Sequence, residues 1–366
     1  MRLARDSLDY FLRKISILQY TNMATAVVAA AKHKDPDNHP ETYRIPKHIR
    51  KGLALALVAM AACANAPAAY PDHPIRLIVP FSAGGGVDII GRETAKVLGE
   101  ELKQSVVVEN KPGAASNLGA GYVAHAPGDG YTLLMASGSL AVNRTLFKNT
   151  GFDAVHDFVR VARVAQAPAV LVVNSKSPFH SLKDLIDYGR SHPKQVSFAS
   201  TGYGSNQHLN GEIITSDGKF QAVHVPYKGG PPALTDLVAG RITFFMTVPA
   251  EVFGFLKSGK LRALAISGRT HMTLLPGVPT LLESGLKDEG LGSWWAVAAP
   301  KGTPQAVVDT LSKALMKALA KPQVQQTILG LGMEPAPLDA KQFDTFFRDQ
   351  VKEYAELIKK YHIPRQ

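Results

Sequence analysis

From residue 75 onward the chain alternates short aliphatic and β-branched runs, the first being Ile75-Arg76-Leu77-Ile78-Val79, with longer stretches whose apolar positions recur every three to four residues. Short runs bounded by Gly, Pro or Asn read as strands, and the longer periodic stretches read as helices. The pattern predicts strands over 75–81, 105–110 and 132–137, separated by helices over 88–102 and 117–126. A β-α-β-α-β succession of this kind implies a parallel sheet with helices on both faces. The apolar segment 159–173 is a candidate for a strand that leaves one lobe and enters another. A second alternation follows, with helices over 181–191, 206–215, 231–238 and 251–257 and strands over 196–200, 222–225, 242–247 and 261–267. Beyond it the pattern gives a helix over 280–285, a strand over 293–299 with the hinge or core aromatics Trp294 and Trp295, and helices over 304–319, 322–331 and 342–360. The last helix places Phe343, Phe346, Phe347, Val351, Tyr354 and Ile358 on one stripe. Such a stripe reads as a face packed on a sheet, with a partner surface as the alternative.

The first strand-to-helix turn, Pro80-Phe81-Ser82-Ala83-Gly84-Gly85-Gly86-Val87-Asp88, carries the candidate chemistry. It lies at the carboxyl end of its strand, where open α/β sheets bind ligands. Glycines let the backbone approach a ligand closely, and the first amides of the next helix lack intrahelical partners. The loop is therefore expected to grip an anion, a carboxylate above all, by main-chain N–H groups. A tight connection with Asp88 as helix cap is the other reading. The loop fails G-x-G-x-x-G, since Ile89 stands where the last glycine is required, and no Gly-Lys-Ser/Thr follows for a P-loop. Two later turns, Thr201-Gly202-Tyr203-Gly204-Ser205 and Pro226-Tyr227-Lys228-Gly229-Gly230, repeat the device with hydroxyl or aromatic residues. The repetition favours a clamp.

Composition changes this picture little. The chain has 366 residues, 45% hydrophobic and 19% charged, which is ordinary for a soluble protein of about two domains. Its formal charge of +11 is unevenly placed: ten of the 41 Lys/Arg and five of the 30 Asp/Glu fall within 1–66, leaving 31 against 25. Without a basic run in the remainder, nucleic acid is not indicated. Residues 48–66 read as a signal peptide, with His48-Ile49-Arg50-Lys51 as positive flank, an apolar stretch over 52–62 and Ala64-Asn65-Ala66 as cleavage signal. Residues 1–47 read as a disordered leader or a misassigned start. The single cysteine, Cys63, excludes a disulfide or thiolate metal site from the exported body and loosely fits a lipid-processing position.

The residues also resemble a known family. Tyr70-Pro71, Pro74 through Phe81, Ala83-Gly84-Gly85-Gly86, Asp88, Val108-Glu109-Asn110-Lys111-Pro112-Gly113 and Gly128-Asp129-Gly130-Tyr131-Thr132-Leu133-Leu134 are similar to the extracytoplasmic solute receptors of tripartite tricarboxylate transporters, the Bug family. Phe198 through Leu209, His224-Val225-Pro226-Tyr227-Lys228-Gly229, Leu261-Arg262-Ala263-Leu264-Ala265 and Leu275-Pro276-Gly277-Val278-Pro279-Thr280 continue the likeness. The resemblance implies a two-lobed α/β fold of the periplasmic-binding-protein type II, each lobe a mainly parallel sheet flanked by helices. Lobe 1 would comprise 70–165 plus 291–366 and lobe 2 would comprise 168–288. Carried over, it implies ligand contacts from Phe81, Ala83, Gly84, Gly85 and Asp88, with Ser137 and Ser139 behind them. From the other lobe it implies Thr201, Gly202, Gly204, Ser205 and His208, then Pro226, Tyr227, Lys228 and Gly229. Asp88 fits a helix cap better than an anion contact, and His208 a structural hydrogen bond better than a ligand. Ser82, Val87, Ala114-Ala115-Ser116 and Thr247-Val248 depart from the usual pattern, which bears on ligand identity rather than fold.

The expected function is a periplasmic, monomeric receptor that captures a small organic carboxylate and hands it to membrane permease subunits of a tripartite transporter, without catalysis or cofactor. A ligand-sensing subunit of a signalling system uses the same clamp and remains open. A hydrolase built on Ser205 and His208 lacks an identifiable third group, and no G-x-S-x-G, S-x-x-K or H-E-x-x-H appears. No metal-ligand spacing appears among the histidines.

Overall fold

The computed structural model describes residues 70–287, 289 and 292–366. The leader over 1–47, the signal peptide over 48–66 and Cys63 lie outside the described residues. The protein is an α/β molecule of two lobes, each built on its own sheet. In the first lobe β1 (Ile75–Val79), β2 (Val106–Asn110) and β3 (Thr132–Ser137) run parallel, joined by α1 (Gly86–Leu102) and α2 (Asn117–Ala124). This is the predicted β-α-β-α-β unit.

Both sheets are mixed, which corrects the mainly parallel arrangement. The first has six strands, adding β4 (Phe158–Ala167), β10 (Ser293–Pro300) and β11 (Glu334–Leu338) in the order β11-β4-β10-β3-β1-β2. β10 comes back from the second lobe and so lies antiparallel to both β3 and β4. The second sheet, β7-β6-β8-β5-β9, is formed by β5 (Val170–Asn174), β6 (Val196–Ser200), β7 (Ala222–Pro226), β8 (Phe244–Thr247) and β9 (Leu261–Ile266). β6 pairs parallel with β7 and β8, while β5 pairs antiparallel with β8 and β9.

The segment 159–173 is two strands rather than one. Pro168 has no N–H to give a ladder, and the chain changes sheets there. Four apolar clusters cover the two faces of the two sheets. Ile75, Leu77 and Val79 point one way and Ile78 the other, while Val170 and Val172 oppose Leu171 and Val173. This is the period-two signature of strands buried on both faces.

Ten α-helices are described in all, and the eight not yet given are α3 (Gly138–Leu146), α4 (Leu182–Ser191), α5 (Asn206–Asp217), α6 (Gly230–Val238), α7 (Pro249–Lys257), α8 (Gln305–Leu319), α9 (Pro322–Gly330) and α10 (Ala340–Lys360). Helix α3 is not among the helices the pattern predicts, yet Leu140, Ala141, Val142 and Leu146 on it are buried. Strand β11 was also missed. Pro335 and Pro337 argue against a strand, and it survives because it lies at the sheet edge. Over 280–285 there is a hydrogen-bonded turn instead of a helix: Thr280 and Glu283 cap one another, and Gly285 at φ +82° ends it. The stripe on α10 is core, with Phe343, Phe347, Tyr354 and Ile358 buried against the first sheet.

Candidate functional site

The glycine turn after β1 is organised from within. Gly84, at φ +79°, donates its N–H to Asp88 Oδ2 at 2.9 Å, and Asn110 Nδ2 reaches both Asp88 Oδ1 (2.8 Å) and the Phe81 carbonyl (3.0 Å). Arg92 Nε closes the set on Asp88 Oδ2 at 2.9 Å. Burial works against the Asp88 charge, but the bonds from Arg92, Gly84 and Asn110 outweigh it and hold the carboxyl below its ordinary range. Asp88 therefore braces the loop.

Because helices that follow strands start at the strands' carboxyl ends, five helix N-termini come together at one cavity of about 30 Å3 between the lobes. Its wall takes Gly86 and Val87 from α1, Gly138 and Ser139 from α3, Asn206 and Gln207 from α5, Gly230 from α6, and Val248 and Glu251 at the start of α7. Phe81, Gly85, Ser137, Thr201, Ser293 and Trp295 complete it. No lysine or arginine is among these described residues. Positive potential at this wall comes instead from the helix starts, each equivalent to roughly half a charge, although Pro231, Pro232 and Pro249 carry no N–H and the Gly86 N–H is taken by Glu251. Such a wall suits an anion without an arginine clamp.

The lobes approach closely here. A Cβ on Gly86 would lie 2.5 Å from Val248 Cγ2, and one on Gly138 would lie 2.5 Å from Asn206 Oδ1. Gly86 N–H donates to Glu251 Oε1 at 2.5 Å, and the Thr247 hydroxyl donates to Glu251 Oε2 at 2.6 Å. Burial pushes the Glu251 carboxyl up despite these two bonds. Asn206 spends its Nδ2 on the Gly292 carbonyl and the Tyr354 hydroxyl, both at 3.1 Å, while its buried Oδ1 has no partner.

Of the residues expected from sequence, Phe81, Gly85, Ser137 and Thr201 meet at this cavity, as does Ser139. A neighbouring cavity of about 280 Å3 gathers Gly202, Pro226, Tyr227 and Lys228, shares Thr201 with the first, and is walled across by Gly113, Ala114, Ala115 and Phe147. Ala83 and Gly84 are exposed on the loop and border neither cavity; a Cβ on Gly84 would face Pro231. Gly229 abuts Ser82 of the opposite lobe rather than facing open space. Gly204, Ser205 and His208 border neither cavity. Gly138, Asn206, Gln207, Val248, Glu251, Ser293 and Trp295 are not expected from sequence as ligand contacts, and Gly86, Val87 and Gly230 enter only as parts of the glycine turns. The signal that points to most of them is positional: each opens a helix directly after a strand.

Ser205 and His208 do not form a nucleophile and base. Ser205 Oγ donates to the Gly202 carbonyl at 2.7 Å and caps α5 by accepting from His208 N–H at 3.2 Å. The His208 ring instead packs on His224 with centroids 4.4 Å apart, and His224 Nε2 lies 2.6 Å from Ser200 Oγ. Burial drives both imidazoles down, His208 to about 3 with help from the charge of His224, and His224 to about 4. Among the described residues no group of His, Cys, Asp and Glu could hold a metal ion.

A larger groove of about 800 Å3 lies on the crossover side, bordered by Gln166, Pro168, Ser267, His271, Trp294 and Phe346 among others. Of the helix starts that meet at the small cavity, none borders this groove.

A family profile described as "Tripartite tricarboxylate transporter family receptor" matches residues 90–363. Protein BugT of Bordetella pertussis is 34% identical over 310 residues, 84% of this chain and 95% of that protein. The solved structure of the periplasmic binding protein BugD gives a TM-score of 0.78 at 32% identity, covering 81% of this chain and 100% of BugD. A structure described as R. palustris Rpa4515 with adipate gives a TM-score of 0.79 at 30% identity, covering 81% of this chain and 100% of its own.

Proposed function

The chain belongs to the tripartite tricarboxylate transporter receptor family, and we propose that it captures a small organic carboxylate between its lobes and delivers it to the permease subunits of a tripartite transporter. Members of this family and the structures it resembles are substrate-binding proteins, not enzymes. The observation that carries the reading is the convergence of five helix N-termini on a cavity without lysine or arginine. Each such terminus favours an anion by about 0.3–1 kcal/mol when exposed and up to ~2 kcal/mol when partly buried. The adipate in the Rpa4515 structure supports the same ligand chemistry.

Work is done by closure. At about 30 Å3 the cavity has room for little more than one water molecule, so a carboxylate of several heavy atoms enters only as the lobes part. A ligand that touches both walls only when they are apposed shifts the equilibrium toward the closed form by its preference for that form. The closed form is then the species a permease would read. Residues 48–66 would direct the chain to the periplasm, where it would act as a monomer; no helix among the described residues is long and apolar enough to cross a membrane.

The test is titration calorimetry of the mature chain with small mono- and dicarboxylic acids, adipate included, paired with thermal unfolding. Binding of at least one acid in a 1:1 ratio with a raised unfolding midpoint is expected. A folded protein indifferent to every acid would sink the reading.

A further inference from the structure

The wall that invites an anion already contains a carboxyl group. Among the described residues lining the small cavity, only Glu251 has an ionisable acidic or basic side chain. It is the third residue of α7, and its carboxyl reaches across the lobe boundary to the first amide of α1, the Gly86 N–H, at 2.5 Å. The place the glycine turn offers to a carboxylate is thus taken by the chain's own side chain. Thr247 orients it by donating to the other oxygen at 2.6 Å, and no lysine or arginine among the described residues pairs with it. A second acceptor stands on the same wall: Asn206 Oδ1 is buried and unpartnered, its orientation fixed because Nδ2 is engaged by Gly292 and Tyr354.

Two acceptor-bearing side chains thus line one small enclosed space, one with an unpartnered oxygen and the other without a counter-ion, and the missing partner of both is a donor. The remaining wall has the opposite character. Gly138 and Ser139 present the first turn of α3, Gln207 lies in the first turn of α5, and Ser137, Ser139 and Ser293 carry hydroxyls. That side suits a carboxylate. A dicarboxylate spanning the cavity would set its second carboxylate against the Glu251 carboxyl in a site shut from water, where two ionised carboxylates repel strongly and no cation stands between them.

We propose that the ligand is a carboxylate that also bears an ammonium group, an amino acid in the broad sense, with the ammonium directed to Glu251 and the carboxylate to the start of α3. Glu251 is then the specificity-determining residue of the cleft. Burial without a counter-ion pushes its carboxyl up, and an ammonium beside it restores the ionised form. The inference rests on the carboxylate-receptor reading and narrows it.

The test compares acids that differ only by ammonium for carboxylate: glycine with malonate, β-alanine with succinate, γ-aminobutyrate with glutarate, together with the common α-amino acids. Calorimetry is run at pH 7.5 on the wild-type protein, Glu251→Gln and Thr247→Val. An amino-bearing acid is expected to bind the wild type at least tenfold more tightly than its plain counterpart. Glu251→Gln should lose at least tenfold for the amino-bearing acid and hold or gain for dicarboxylates; Thr247→Val should shift in the same direction by less. Dicarboxylates binding the wild type as tightly as their amino partners would overturn the inference and leave the receptor reading standing. So would equal weakening of both classes by Glu251→Gln. Failure of every acid to bind defeats both readings, and the wild-type comparison decides even where a variant does not fold.

Discussion

His208 and His224 pack against each other with tilted rings, and burial pushes both imidazoles down. Their folded values, about 3 and about 4, lie below the ordinary 6.5. Above pH 6.5 they are neutral in both folded and unfolded chains and contribute no pH dependence. As pH falls below 6.5 the unfolded chain takes up protons that the folded one refuses, so stability drops toward pH 4 by about 1.4 kcal/mol per unit for each histidine. Denaturant unfolding at pH 7, 6, 5 and 4 should show wild type losing stability faster than His224→Gln across that window. Parallel curves for the two proteins would exclude the pair as the source. Sequence could place His208 one turn beyond the loop but could not place His224 against it, because that contact joins a helix to the next strand. Glu251 was illegible for a similar reason. In the chain it is one acidic residue in the first turn of a short helix, an unremarkable preference. Its role comes from Gly86, 165 residues earlier, and no local pattern records that pairing.

At the scale of elements, α10 binds the first lobe together by its aromatic stripe. Phe343, Phe346 and Phe347 meet Trp294 of β10 edge-on, with ring centroids 5.6–6.2 Å apart. Phe347 also covers the buried Arg160 guanidinium at 3.9 Å, whose affinity for its proton burial has lowered to about 10. Phe347→Ala should cost about 3–5 kcal/mol, the range for emptying a buried aromatic site. Chemical denaturation would read this as a lower midpoint with an unchanged slope. The helical period of the stripe and the β-α-β-α-β run were legible because each depends on a single stretch of chain. The antiparallel partners were not. β10 and β11 take their direction from where the chain re-enters the first lobe, and the prolines of β11 disguise a strand that only an edge position permits.

At the scale of the whole molecule, the proposed function turns on how closely two walls approach. Gly138 faces the Asn206 amide, and a methyl group there would meet its atoms at 2.5–2.9 Å. Gly138→Ala should leave each lobe folded while preventing full apposition, weakening any ligand at least tenfold. Small-angle scattering should then show no ligand-induced compaction where wild type compacts; compaction equal to wild type would refute the steric account. The glycine turns were legible as loops at the carboxyl ends of strands, whereas the convergence of helix starts on one point needed the fold. That convergence also includes an indole. The chain has two tryptophans; Trp294 is enclosed by the phenylalanines of α10, and Trp295 stands in the cavity wall. The receptor therefore carries its own optical probe: filling the cleft should alter the emission of Trp295 without any label, an effect kept in Trp294→Phe and abolished in Trp295→Phe.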